Sequence, residues 1–285
     1  MNRALAASLL VSLALLAGCT NDFVPQSSLE GLRVLALVAD PLELAPGQAI
    51  TVRPKNWLPP GSSIAEQRFT FCPLSAGAVA AYACAVPHCE VNLPPAPDGS
   101  VTANPTQIIT QCLGAAGGGI PASLPDQILT VFRYRVLTDQ GEARDAVIQI
   151  PQWTRLPPPD PNLPPIITGV EIGGVPAQVG VPTPPLPVNG LLPVRLLIDP
   201  SSVQTYVDAA GVSRTETMTG YYYSTAGRFA NGLATGVDTT VDLEGTYLLP
   251  GQVTAEVWVV ALDLRGGQAV AGPFTVPIGA GARQE

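Results

Sequence analysis

Apolar residues recur along this chain in short runs, each closed by Pro, Gly, Asn or Asp, a pattern that predicts strands joined by turns. In the first half the runs are 32–38, closed by Asp40-Pro41, then 49–53 after the turn Pro46-Gly47-Gln48, then 67–72. Residues 73–125 lack a sustained period. They predict one helix, 106–113, with Asn104 as N-cap, Pro105 in the first turn and Gly114 as the stop. So long a stretch without strands is unusual in a compact domain. Residues 128–138 and 143–151, joined by Asp139-Gln140-Gly141-Glu142, form the clearest hairpin of this half.

Six prolines crowd into residues 157–165. Such a stretch favours polyproline II, at about 3.1 Å per residue, and predicts a stiff spacer between two domains. Beyond it, runs at 166–172 and 175–179 flank Gly173-Gly174, a hairpin signal, and a Pro-rich loop at 181–188 precedes a strand at 191–198. Runs at 203–207 and 214–223 are expected to pair across residues 208–211, and 239–243 is a short strand. Runs at 253–262 and 268–276 close the chain around Asp263-Leu264-Arg265-Gly266-Gly267. The two halves end alike, since Leu124-Pro125-Asp126-Gln127-Ile128 matches Leu249-Pro250-Gly251-Gln252-Val253 at an offset of 125. That points to one supersecondary plan used twice. The expected fold class is all-β, with tandem β-sandwiches at 32–155 and 166–280. The first carries a cysteine-rich insertion at 73–125, a linker occupies 156–165, and 281–285 is a tail.

The first eighteen residues follow another rule. A basic Arg3, an uninterrupted apolar run at 4–17 and small residues after it have the layout of a secretory signal. The run is 14 residues long, short of the roughly 20 that span a bilayer. Leu16-Ala17-Gly18-Cys19 resembles the lipobox of bacterial lipoproteins. That resemblance implies cleavage between Gly18 and Cys19, acylation of the Cys19 thiol and attachment to a membrane, which two or three acyl chains hold firmly where one does not. Thr20 stands where the family's inner-membrane retention signal places Asp, so the expected location is the outer membrane. Residues 19–31 read as the lipidated cysteine and a flexible tether.

Composition narrows the partners. Net charge is −8, or −9 once Arg3 is removed, and Lys55 is the one lysine, which argues against nucleic acid or anionic headgroups. With 31 Pro and 28 Gly, the chain favours short strands over long helices. Beyond Cys19 the cysteines are Cys72, Cys84, Cys89 and Cys112. An even number in an exported chain reads as two disulfides, with three connectivities open and the tight Cys84–Cys89 ring least favoured. A zinc site using His88 and Cys89 is the sharper alternative, but its spacing departs from the usual two-residue gap.

Beside the lipobox, three segments resemble those of predicted bacterial lipoproteins with tandem immunoglobulin-like domains, a family largely without assigned function. They are Leu44-Ala45-Pro46-Gly47-Gln48-Ala49-Ile50-Thr51-Val52, Tyr221-Tyr222-Tyr223-Ser224-Thr225-Ala226-Gly227-Arg228-Phe229, and Val257-Trp258-Val259-Val260-Ala261-Leu262-Asp263-Leu264-Arg265-Gly266-Gly267.

No catalytic constellation is predicted. His88, the one histidine, would have to serve as base, and no strand-turn-helix elbow accompanies any Ser. Asp238, Asp242 and Glu244 are weighed as weak calcium ligands against ordinary solvated carboxylates. Tyr221, Tyr222 and Tyr223 lie in a row on one strand, so alternate rings face opposite ways, towards either a sugar-stacking surface or half-buried packing. Trp258 is expected in the core, and Trp57 and Trp153 at domain edges. The expectation is therefore a non-enzymatic, lipid-anchored envelope protein without cofactor or metal, a scaffold for a protein partner, with polysaccharide as the second partner class.

Overall fold

Strands that alternate apolar and polar residues bury one face, and those that run apolar throughout bury two. Both kinds occur in the computed structural model, which describes residues 26–113, 124–158, 160–207, 211–246, 248, 251–263 and 265–279. The first half contains β1 (Arg33–Asp40), β2 (Ile50–Trp57), β3 (Ile64–Cys72), β4 (Val91–Leu93), β5 (Val101–Ala103), helix α1 (Pro105–Leu113), β6 (Gln127–Thr138) and β7 (Ala143–Trp153). Two antiparallel sheets, ordered β1-β2-β5 and β4-β3-β6-β7, face each other. Ile50, Val52, Phe69, Phe71 and Phe132 fill the space between them. The buried Tyr134 hydroxyl crosses this core, accepting from Asn56 Nδ2 at 2.7 Å on the opposite sheet and donating to Gln67 Oε1 at 3.0 Å.

The second half contains β8 (Ile167–Ile172), β9 (Val175–Pro176), β10 (Leu191–Ile198), β11 (Thr205–Val207), β12 (Ser213–Thr215), β13 (Thr219–Ser224), β14 (Arg228–Phe229), β15 (Leu233–Thr235), β16 (Asp238–Glu244), β17 (Thr254–Leu262) and β18 (Gln268–Pro277). Its sheets are β14-β16-β10-β8-β9 and β15-β13-β17-β18, with β11-β12 as a separate ribbon. Taken without the short additions, β8-β10-β16 repeats β1-β2-β5, and β15-β13-β17-β18 repeats β4-β3-β6-β7. The chain is thus two immunoglobulin-like sandwiches in tandem, and the two closing hairpins that look alike in sequence hold the same place in each. Tyr222 stitches the second core as Tyr134 does the first, its hydroxyl 2.7 Å from Thr239 Oγ1 on the facing sheet.

Two local readings change and one holds. Residues 73–125 are not strandless, because β4 and β5 pair with β3 and β2 and so extend both sheets. Helix α1 forms as expected, with Asn104 Oδ1 accepting from the Gln107 amide at 3.2 Å. Residues 214–223 divide: β12 pairs with β11, whereas β13 pairs with β17 in the main sheet.

The stiff-spacer reading of 156–165 is corrected by the packing. Trp57 Nε1, at the end of β2, donates to Glu256 Oε2 near the start of β17 at 3.1 Å. At the other end, Glu43 in the β1–β2 loop pairs with Arg265 in the β17–β18 turn at 2.8 Å. Contacts at both ends require the second sandwich to be folded back along the first. Leu35, Ala36 and Trp57 meet Trp258, Val260, Tyr221 and Tyr223 between the two. Linker residue Asn162 is itself buried, its Nδ2 donating to Asp263 Oδ2 at 3.1 Å. Burial of these apolar side chains between the sheets favours the docked arrangement.

The tether reading changes too. Residues 26–31 lie on the second sandwich, where the Leu29 amide donates to Ser224 O at 2.8 Å, the Ser224 amide donates to Ser27 O at 2.9 Å, and Leu29 is buried.

Candidate functional site

The β17–β18 turn builds the most charged buried site. Asp263 Oδ1 accepts from the amides of Arg265 at 2.7 Å and Gly267 at 2.8 Å, which tightens the turn and aims Arg265 at the first sandwich. Gly267 is required here because a Cβ would overlap Asp263 Oδ2. The Arg265 guanidinium donates to Glu43 and to Glu216, each at 2.8 Å, and lies 4.3 Å from the centre of the Tyr206 ring. Side-chain exposure is 14% for Arg265, 9% for Glu43 and 0% for Glu216, so one cation serves two carboxylates away from water. The arrangement is a structural lock between the sandwiches. Sequence reading placed Arg265 in a turn but carried no signal for partners 222 and 49 positions away.

Burial raises the pKa of Glu43, and Arg265 opposes that shift through its charge and hydrogen bond. A carboxyl with a raised folded pKa holds its proton better folded than unfolded. Its contribution to stability is complete below the ordinary carboxylate value and is lost as pH rises through the raised one. The expected result is that Glu43→Gln gains melting temperature relative to the native chain as pH increases across that window, as read by calorimetry at several pH values. A gap that narrows with rising pH would instead mean that the attraction of Arg265 dominates.

The tyrosine run resolves by face. Tyr222 is fully buried in the second core, whereas Tyr221 and Tyr223 point the other way and are half-buried against the first sandwich and residues 26–33. Burial raises the Tyr223 pKa, and the Arg33 charge lowers it by a smaller amount. Between these parts lies a cavity of about 180 Å³, walled by Arg33, Tyr221, Tyr223, Arg228 and Leu233 with Gln26 and Ser27 at its side. Arg33 Nη1 donates to Gln26 O at 2.6 Å, and its guanidinium lies 5.8 Å from the Tyr223 ring centre. Among the described residues that line it there is no carboxylate.

Trp258 is corrected likewise. It lies on the outer face of β17 beneath the first sandwich, and Trp57 joins it there. The whole run 257–262 is apolar because both faces of β17 are covered.

The four cysteines pair as Cys72–Cys84 and Cys89–Cys112, each with Cα atoms 5.5 Å apart. His88, Cys89 and Cys112 bring ligand atoms within 4.8 Å of one another, but both sulfurs are spent in the disulfide and His88 is an exposed neighbour. Among the described residues no other group of three metal-ligand side chains converges. Asp238 holds Arg195 in a fork at 2.7 and 2.6 Å, so the expected acidic cluster is divided by an ion pair.

The first disulfide closes a loop on the end of β3 opposite Leu32. Ile64 at the start of β3 pairs with Thr138 beside the β6–β7 turn, where Glu142 Oε2 accepts from the Leu32 amide at 2.6 Å. Cys72 lies eight residues on, about 26 Å at 3.3 Å per residue. From Pro73 to Pro87 the chain has no charged residue, and Val79 at its tip is fully exposed. The loop is a small hairpin, with the Ala76 amide donating to Ala83 O at 2.9 Å and the Ala85 amide to Leu74 O at 2.8 Å.

Gly18 and Cys19 lie outside the described residues, and no described helix is long and apolar enough to cross a membrane. No family model and no curated protein matches the chain. Among solved structures it is similar to the D00-D0 domain of intimin, at 8% identity and TM-score 0.24 over 88% of this chain and 99% of that one. It is also similar to fibronectin(III)-like modules of Clostridium thermocellum CbhA, at 11% and 0.24 over 89% and 96%. The Yersinia pseudotuberculosis adhesin InvE matches at 11% and 0.23 over 86% and 58%. At such TM-scores the likenesses carry no argument about function, and the sandwich assignment rests on strand order.

Proposed function

We propose that this chain is a lipid-anchored, non-catalytic interaction module of the bacterial cell envelope, attached to the outer membrane through Cys19, that presents its disulfide-closed loop to a protein partner. The observation that carries the reading is the uncharged hairpin 73–87 with Val79 fully exposed. Single exposed apolar side chains are common on folded proteins, and what sets Val79 apart is that it is the most exposed of the described large apolar residues and sits in a fifteen-residue stretch without charge. The Cys72–Cys84 bridge holds the loop in shape, so docking costs less ordering entropy than it would for a free loop. The seven residues from Cys19 to Gln26 reach at most about 25 Å. A tether that short would keep the folded part close to the membrane that holds the lipid. The lipobox and the disulfides both suit an exported chain.

A photo-crosslinking amino acid at position 79, in cells, should capture one recurrent envelope protein. Capture should vanish when Ala78→Asp is added and persist when Val253→Asp is added on the second sandwich. Capture that ignores Ala78→Asp rejects the loop as the docking surface. The anchor is tested separately: Cys19→Ala should leave the precursor uncut and unlipidated, and normal processing of that variant sinks the lipoprotein reading. A second reading, as a polysaccharide-binding module, is favoured by the cavity beside Tyr221 and Tyr223.

A further inference from the structure

One end of the second sandwich is built without charge. The twenty-three residues from Ile172 to Val194 contain no acidic, basic or aromatic side chain, in a chain with 22 acidic and 14 basic residues. The charges that flank them, Glu171 and Arg195, are paired with each other at 3.1 Å. Among the described residues fifteen large apolar side chains stand exposed, and five of them fall in this segment: Val175, Val179, Val181, Val188 and Leu191. Packing draws the segment together. The Gly173 turn closes on Pro184 and Leu192, since a Cβ at Gly173 would stand 3.0 Å from each. The Val181 amide donates to Gln178 O at 3.1 Å, and the Leu186 amide donates to Pro277 O at 2.8 Å, which lays the Pro-rich loop along the end of β18. Single exposed valines are ordinary, whereas apolar side chains gathered on one surface mark a protein or membrane contact.

The segment also lies near the point where the chain from Cys19 enters the fold. Leu191 pairs with Glu244 and Glu244 with Arg228, so Leu191 is two strand spacings, about 10 Å, from β14. Arg228 lines the same cavity as Gln26, and the seven residues back to Cys19 reach at most about 25 Å. We propose that this uncharged face, 172–194, rests in the lipid interface of the membrane that holds Cys19. The inference rests on the lipoprotein reading above. Protein hot spots are rich in Trp, Tyr and Arg, and the face has none of them. Apolar contact with lipid needs no directed partner. A short tether supplies an effective concentration of the order of millimolar. A face too weak to hold a free protein on a bilayer therefore stays docked in a tethered one.

The test supplies the anchor chemically, so that a failure of lipidation in cells, read by Cys19→Ala, stays separate from a failure of the face. The mature chain 19–285 is coupled through Cys19, the one cysteine outside the two disulfides, to a maleimide-bearing lipid in phosphatidylcholine vesicles with brominated acyl chains. Bromine quenches a tryptophan that enters the lipid. The fluorescence added by Val181→Trp should fall by about half or more, as for a ring seated at the acyl boundary. That added by Val207→Trp should not change, because exposed Val207 adjoins Tyr206, which lies over Arg265 beyond the far end of β17. Adding Val179→Asp and Val188→Asp to Val181→Trp should cut the quenching about threefold or more, since a carboxylate resists entry into lipid. Thermal melts establish that these surface variants fold. Anionic phosphatidylglycerol should not raise the quenching, since the face carries no cation; a rise would move the docking to a basic surface and overturn the proposal. Quenching that is absent at 181, equal at 181 and 207, or unchanged by the two aspartates overturns it as well. So does self-association of the uncoupled chain that Val179→Asp abolishes, which would give the face to a second copy. A crosslinker at 181 that captures one envelope protein in cells would give it to a protein instead, with the same consequence.

Discussion

Replacing Arg265 by leucine is expected to destabilise the protein by about 3–5 kcal/mol, the cost of removing one member of a buried ion pair and leaving its partner charged and dry. Here two carboxylates are left, Glu216 with no side-chain exposure and Glu43 with 9%. Neither can turn to water without opening the contact between the sandwiches. At about 2–4 °C per kcal/mol for a chain of this size, the melting temperature should fall by roughly 6–20 °C at pH 7. The deficit should shrink in acid, where the Glu43 carboxyl, its pKa raised by burial, takes up a proton. Adding Glu43→Gln and Glu216→Gln to Arg265→Leu should recover most of the loss, since uncharged groups need no cation. Calorimetry of the single and triple variants decides it. A change below about 1 kcal/mol in the single variant would show the junction to be wet in solution and the lock to be no more than a surface pair.

Loss of the two disulfides ranks next. The bridges close sequence separations of 12 and 23 residues, and chain-entropy reasoning gives about 3 kcal/mol for loops of this length. The loss should be local. Cys89–Cys112 ties the turn Pro87–Cys89 to α1, and a nine-residue helix is too short to persist in water without tertiary support. In Cys89→Ser/Cys112→Ser the amides of 106–113 should therefore exchange hydrogen much faster, while those of β6 and β7, joined over eleven register pairs, stay protected. In Cys72→Ser/Cys84→Ser the loop bearing Val79 should open, and crosslinking from position 79 should drop with it. Unchanged exchange in α1 would mean that Ile109, which is fully buried, holds the helix without the bridge.

Much of the strand order was legible because its signals are local. β10 has the expected bounds 191–198, and the hairpins β6–β7 and β17–β18 follow from long runs on either side of Asp/Gly turns. The Asn104 cap needs only its neighbours three residues on. By contrast, β4 and β5 are three residues each, too short to show a period of two, and exist only because β3 and β2 offer them backbone partners. The break at Glu216 inside the run 214–223 was missed because the pull that divides it comes from Arg265, 49 positions away.

One signal was present and misread. β1 and β17 are apolar at consecutive positions, not at alternate ones, and in a sheet that means cover on both faces. Read that way, Leu35 and Ala36, together with Trp258 and Val260, announce a second buried face on each sandwich, and a stiff spacer holding the halves apart would have been set aside.

By itself the sequence determined the class of fold, the turns, and the even set of cysteines in one stretch, since each depends on residues close in the chain. Only the tertiary structure decided which cysteines pair, that the sandwiches fold back on one another, and that Arg33 and Arg228 line one cavity with two tyrosines. Those outcomes rest on contacts between residues many tens of positions apart, and no local pattern encodes where two distant surfaces will find each other.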